Sequence, residues 1–304
     1  VDLTFSLGLN GTAHRQASVE IKNHIVVSAE NNAYLAWQCK LFHYSCVSRL
    51  GQCPVFLVHQ RDPNWHSDFV EIAEAGGMVR SVPSYRTTGA GDDYSPRNTA
   101  GTLLHASMIG YSRSDLIVLC DPDMIFVRKP SFPRRLSAEY YSYLNYDQKD
   151  VRAAARRLEI RAELFDQRKG EVLCGVPHVI PVACARSLAE AWLEAIDAFT
   201  PGLWEISMYA FGLAVIKLGL KLELTNLVAT NYTHDSQLGR ANVVHYCYGN
   251  DRWSKRKYFS SRLSKKVWDA PVRASGGTVL SEIVSQIREA RSFYSNKNGD
   301  SPKD

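Results

Sequence analysis

Short apolar, β-branched runs alternate along the chain with longer stretches whose apolar residues recur at helical spacing. His24-Ile25-Val26-Val27-Ser28-Ala29 is the first run, and Asn32 to Leu50 follows it with the 3.6-residue period. Pro54 to His59 repeats the strand pattern, a polar stretch to Ser67 leads into a second helical segment, and Gly76-Gly77 closes that segment before Met78 to Val82. This alternation predicts a parallel α/β sheet. Leu116-Ile117-Val118-Leu119-Cys120 is apolar without a break, as a central strand covered on both faces requires. It runs directly into Asp121-Pro122-Asp123.

Between these, Thr87 to Asn98 holds Gly89, Gly91, Asp92, Asp93 and Pro96 and is expected to be a loop, with Thr99 to Ile109 helical after it. The second half is expected to carry a strand over Tyr140 to Tyr146, an Arg-rich helix over Val151 to Gln167, and helices over Ser187 to Phe199 and Ile206 to Leu218. A strand over Lys221 to Thr230 and a final amphipathic helix over Leu280 to Phe293 complete the reading. Residues 1–20 read as a polar lead-in, 21–275 as the main domain, 276–295 as a C-terminal helix and 296–304 as a disordered tail.

Composition narrows the class. With 304 residues and 45% hydrophobic positions the chain can bury a large core, and no run approaches the ~20 apolar residues of a membrane-spanning helix. The net charge of +5 is scattered, so there is no basic stripe with a nucleic-acid motif. Seven cysteines without a close CxxC pair argue against structural zinc, while Cys39, Cys46 and Cys53 could be bridged in an oxidising compartment. Two Asn-x-Thr sequons, at Asn10 and Asn231, permit that setting.

Candidate chemistry centres on Asp121 and Asp123. An isolated Asp-x-Asp is common, and its bland reading is an exposed turn. Placed at the carboxyl end of a buried parallel strand, the same pair lies in the crevice where open α/β sheets bind ligands, and can hold a hard divalent cation against a diphosphate. His245, after Val243-Val244, is either a packed strand-end histidine or a further ligand suited to a manganese-type ion. Glu30, Asn31 and Asn32 follow the first strand, where they serve equally as helix caps or as nucleotide ligands. Arg97 and Asn98 open a helix and suit a phosphate or a surface cap. Trp204 and Trp253 flank polar loops and are candidates to line an acceptor groove, whereas Tyr140, Tyr141 and Tyr143 read as core.

Four blocks carry a wider resemblance: Ser28 through Gln38, Leu119-Cys120-Asp121-Pro122-Asp123-Met124-Ile125-Phe126-Val127, Gly202-Leu203-Trp204 through Met208-Tyr209-Ala210-Phe211, and Val244-His245-Tyr246. In this order, over about residues 24 to 258, the chain resembles the plant and algal hydroxyproline O-arabinosyltransferases and the related peptidyl-serine α-galactosyltransferases. The resemblance implies a GT-A glycosyltransferase fold, with a single Rossmann-like, mostly parallel sheet flanked by helices. It implies a retaining transfer of arabinofuranose or galactose from a UDP-sugar donor to a hydroxyl of a protein or peptide, with Mn2+ or Mg2+ as cofactor, in the Golgi lumen. Asp121, Asp123 and His245 then hold the metal, and Ser28, Glu30, Asn31, Arg97, Asn98, Asp121 and Lys255 the nucleotide sugar. Trp204, Ser207 and Tyr209 face the acceptor. The chain departs from the family pattern in two places. Asp121 stands where the family tends to have Glu, and Ser207 stands where it has an acid before Met-Tyr. Glu205, two positions away, is the remaining catalytic carboxylate candidate, in a register that argues against a covalent nucleophile. A catalytically weak nucleotide-sugar or glycan-binding protein of the same fold is the alternative, and a two-carboxylate hydrolase would need an acid and nucleophile pair that sequence cannot place.

Overall fold

The computed structural model describes residues 21–60, 64–200 and 202–299. The lead-in with the Asn10 sequon and residues 300–304 of the expected tail lie outside them. The first half alternates as its pattern predicts: β1 (Asn23–Glu30), α1 (Ala33–Leu50), β2 (Val55–His59), α2 (Ser67–Glu74), β3 (Met78–Val82), α3 (Arg97–Ala106) and β4 (Leu116–Cys120). Asn32 caps α1, its Oδ1 accepting from the Leu35 amide at 2.9 Å, and Gly51 ends that helix in the left-handed region at φ 68°. Three strands and two short helices follow: β5 (Met124–Phe126), β6 (Ser137–Tyr140), α4 (Lys149–Arg157), α5 (Ala162–Arg168) and β7 (Cys174–Pro181). The chain closes with α6 (Val182–Asp197), α7 (Ile206–Lys217), β8 (Glu223–Thr225), β9 (Val228–Thr230), β10 (Val243–His245), α8 (Ser261–Ser264) and α9 (Val279–Gly299).

The main sheet has the order β3-β2-β1-β4-β7-β6-β8, with β7 antiparallel to both its neighbours and the other pairs parallel. Strand alternation sorts its side chains into two cores. Val26, Val55, Leu57, Ile117 and Leu119 face α3, α6 and α7, while Ile25, Val27, Phe56, Val58, Val118 and Cys120 face α1 and α2. A second sheet of three strands, β5-β10-β9, lies beyond the expected single one. Trp37, Leu41, Tyr246 and Trp253 pack there with the apolar face of α9. Glu139, buried on β6, ties the two sheets together: its carboxylate accepts from the Leu227 and Val228 amides at 2.9 and 3.0 Å, which sets the start of β9.

Several elements differ from the sequence reading for local reasons. The strand ends at Tyr140, and Tyr141 to Tyr146 turn away from the sheet. The Arg-rich helix breaks between α4 and α5 at Glu159, whose φ of 58° no continuing helix accepts. Lys221 to Thr230 is two strands in two sheets rather than one, and α9 runs on to Gly299. All seven cysteines are free thiols, including Cys39, Cys46 and Cys53.

His178, on β7, is a buried histidine with neither ring nitrogen hydrogen-bonded, packed 4.1 Å from the Phe211 ring and 5.4 Å from Trp192. Burial pushes its pKa from 6.5 down to about 3. Protonation is therefore favoured in the unfolded chain between these values, and stability contributed by this residue is present above pH 6.5 and lost as pH falls. Denaturant titration at pH 7 and pH 5 is expected to show His178→Leu losing roughly 2 kcal/mol less than the wild type over that interval. Parallel losses would show that His178 is not held neutral.

Candidate functional site

Asp121-Pro122-Asp123 is the link between the sheets: β4 ends at Cys120 and β5 begins at Met124. Because β5 pairs antiparallel with β10, Met124 lies opposite His245, and the Tyr246 amide donates to the Asp123 carbonyl at 3.0 Å. That register brings together side chains more than a hundred residues apart. Asp121, Asp123 and His245 each offer one ligand atom within 4.8 Å of the others, the one such group among the described residues. Asp123 and His245 are buried, Asp121 half-buried. Two carboxylates and an imidazole suit a manganese-type ion in their chemistry and spacing.

The charges around Asp123 are already compensated. His245 Nε2 lies 3.2 Å from Asp123 Oδ1, and Lys255 Nζ pairs with Oδ2. Burial would raise the Asp123 carboxyl, but the Lys255 and His245 charges outweigh it and hold it well below the usual carboxylate range. Asp121 has no such partner. Burial and the Asp123 charge push it up to about 6. His245, despite burial, is raised well above 6.5 by Asp123.

Tyr141, read from sequence as core, orients His245. Its hydroxyl donates to the Val176 carbonyl at 3.0 Å, so at 3.2 Å from His245 Nδ1 the same oxygen can only accept from that nitrogen. Such a hydrogen bond fixes the ring with Nε2 toward Asp123 and Asp121. Gly175 makes room for it, since a Cβ there would run into the Tyr141 ring.

One strand over from Asp121, a cavity of about 670 Å3 opens at the carboxyl ends of β1, β2 and β3. Glu30, Asn31, Asn32, His59, Arg86 and Asp93 are among its walls. Glu30 and Asn31 were expected here; Arg86, on the loop after β3, was not. Arg86 donates to Glu30 at 2.9 Å and bonds both oxygens of Asp93 at 2.7 and 2.6 Å, closing that loop. Asn31 holds the loop before α2, accepting from the His66 amide and donating to the Asn64 carbonyl. Ser28 Oγ lies 2.9 Å from Thr102 Oγ1, itself 2.8 Å from His59 Nε2. Arg97 is committed elsewhere, its fork on Asp197 and Nη1 on the Tyr85 carbonyl. Asn98 is buried between Glu30 and the Tyr85 amide, a support for the cavity wall.

At the start of α7, Trp204 is 69% exposed and Glu205 is half-buried. Ser207 is buried, with its hydroxyl on the Pro96 carbonyl, and Tyr209 is buried with its hydroxyl accepting from Asn145 and Gln148. Neither reaches solvent as an acceptor contact would. Trp253, 1% exposed, packs in the core under α9, where with Trp268, Pro271 and Arg288 it lines a cavity of about 350 Å3. Other exposed aromatic positions include Tyr140 and Tyr143, both read from sequence as core, and Tyr232, Tyr248 and Phe259, which composition alone cannot separate from core aromatics.

With this geometry in place, comparisons with known proteins define the class. The structure of an active-site mutant of LgtC matches with a TM-score of 0.50 at 11% identity, covering 86% of this chain and 95% of that one. The WbbM bifunctional glycosyltransferase matches with a TM-score of 0.49 at 10% identity over 92% of this chain, which spans only 52% of that protein. The fold is the GT-A fold. No family model matches the chain. Curated relatives are weak but uniform: hydroxyproline O-arabinosyltransferase 2 of Arabidopsis thaliana is 18% identical over 81% of this chain and 70% of its own length. Hydroxyproline O-arabinosyltransferase PLENTY of Lotus japonicus is 22% identical over 90% of this chain and 81% of its own. The resemblance read in the sequence is thereby supported, and glycosyltransferase function with it.

If Tyr141 orients His245, removing its hydroxyl should weaken metal binding without unfolding the site. Tyr141→Phe is expected to lower Mn2+ affinity by about tenfold in a paramagnetic-resonance titration, while Tyr143→Phe leaves it unchanged. Equal affinities in the two variants would dissociate Tyr141 from the site.

Proposed function

We propose that the chain is a metal-dependent, retaining glycosyltransferase that moves a sugar, arabinofuranose or galactose, from a UDP donor to a hydroxyl of a hydroxyproline- or serine-containing protein. One observation carries the reading: the Asp121, Asp123 and His245 group stands at the end of β4, beside a cavity wide enough for a nucleotide. Asp121, Asp123 and His245 would hold Mn2+ or Mg2+, which when bound neutralises charge on a departing diphosphate. Glu30, Asn31 and Arg86 line the donor cavity, and Ser28 with Asn98 supports it. Lys255, paired with Asp123 in the free protein, would meet the diphosphate once Asp123 has a metal partner. The Golgi lumen, implied by the resemblance, belongs to this proposal.

The acceptor hydroxyl attacks from the face that the diphosphate leaves, the new C–O bond forming as the sugar–phosphate bond breaks and the hydroxyl proton passing to the departing diphosphate. The protein then supplies positioning and electrostatic stabilisation rather than a dedicated base. Beyond burial, Glu205, just before α7, raises the Tyr94 and Tyr143 phenols through its charge and would stand on the acceptor side. The family's acidic position is Ser207 here, buried and bonded to Pro96, which favours the alternative of a weakly catalytic binder.

Asp123→Ala is expected to lose at least about a hundredfold in manganese-dependent sugar transfer, screened by released UDP over a panel of nucleotide sugars. Wild-type turnover in that variant at saturating manganese would refute the metal assignment, and UDP binding without turnover in the native protein would select the binder. Glu205→Gln should reduce turnover only modestly, and a sugar ester trapped on Glu205 would overturn this. Retention is read from the product's anomeric centre by NMR; an inverted linkage would contradict the mechanism.

A further inference from the structure

The loop between β3 and α3 forms one wall of the donor cavity through Ser84, Arg86, Thr87, Gly91 and Asp93. It is closed on itself by the Thr87–Asp93 bridge and the Tyr94 amide bonded to the Arg86 carbonyl at 2.8 Å. Its last residues turn away from the cavity. Tyr94 reaches to the start of α7, where its hydroxyl donates to the Trp204 carbonyl at 2.7 Å and accepts from the Ser207 amide at 2.8 Å.

That contact meets a specific need. The first amides of a helix have no partner within it, and α7 begins at Ile206 with Glu205 at its cap position, whose side chain makes no capping hydrogen bond. The Tyr94 hydroxyl supplies the cap from another part of the chain and holds the preceding carbonyl with the same atom. Burial keeps the phenol well above its ordinary pKa, so it stays protonated and can do both. The other polar groups of Ser207 are bonded to fixed partners: its carbonyl accepts from Trp192 Nε1 at 2.7 Å, and its hydroxyl donates to the Pro96 carbonyl at 3.4 Å.

We propose that Tyr94 is a positioning residue that couples the donor cavity to the acceptor side: a nucleotide that orders the loop around Arg86 also fixes Trp204 to Ser207 through this hydroxyl. The proposal deepens the donor-site reading above and rests on it. Its consequence is that the Tyr94 contacts, present in the free protein, tighten when donor is bound, so that the two sides of the site change together.

Hydrogen exchange with UDP and Mn2+ tests this without knowing the acceptor. In the native protein, UDP is expected to slow exchange of amides in both 84–94 and 203–209. Tyr94→Phe keeps the ring and should keep UDP binding and the protection of 84–94, while protection of 203–209 falls by roughly five- to tenfold, as for one lost hydrogen bond. With a working acceptor, the same variant should raise acceptor KM several-fold at little cost in kcat, a split that general destabilisation does not produce. Protection confined to 84–94 in the native protein, or protection of 203–209 retained in Tyr94→Phe, would overturn the coupling. The native arm needs no variant and stands even if Tyr94→Phe does not fold. Absence of any UDP binding in the native protein would refute the donor-site reading, a different result.

Discussion

A buried carboxylate must be compensated, and the compensation of Asp123 organises the active end of this protein. Asp123 has an imidazole on one oxygen and an ammonium on the other, the first delivered by β10 and the second by the turn after it. Neither cation could reach it unless the chain left the main sheet at Asp121-Pro122-Asp123 and paired β5 with β10. Glu139 sets β9, β9 pairs with β10, and β10 sets His245. A site assembled this way depends on strand register, so a slip of one residue would point His245 to the opposite face.

The same end of the sheet divides into two sides. Glu30, Arg86 and Asp93 line a charged cavity over β1 to β3, one guanidinium shared by two carboxylates, while Trp204 and Glu205 stand at the start of α7. The Arg97–Asp197 pair and Tyr94 join these sides by binding the loop after β3 to the end of α6 and the start of α7. A transfer reaction between two bound partners calls for this separation and for a connection across it.

Much of the fold was legible because the first half is locally consistent: unbroken apolar strands, capped helices and glycine stops all point to the same parallel sheet. β7 was missed because Gly175, Pro177 and Pro181 are strand-breaking residues on paper, although all but Pro181 of that strand are buried in the sheet. Asp121 and Asp123 were legible from the strand before them, and His245 through its block resemblance. Arg86 and Tyr141 were not, since one is an arginine in a glycine-rich loop and the other a tyrosine among tyrosines. Their roles arise from loop closure and from the space left by Gly175, which are properties of tertiary approach. Arg97 was read as a phosphate ligand for its helix-start position, and nothing local reveals that Asp197 holds it.

The account stands most directly on where a cation binds. Crystals grown with UDP and Mn2+, measured at the manganese absorption edge, should give an anomalous peak within ligand distance of Asp123 and His245, with Asp121 alongside and Lys255 turned to the diphosphate. A nucleotide bound with no manganese at these residues, or manganese bound elsewhere on the molecule, would contradict it.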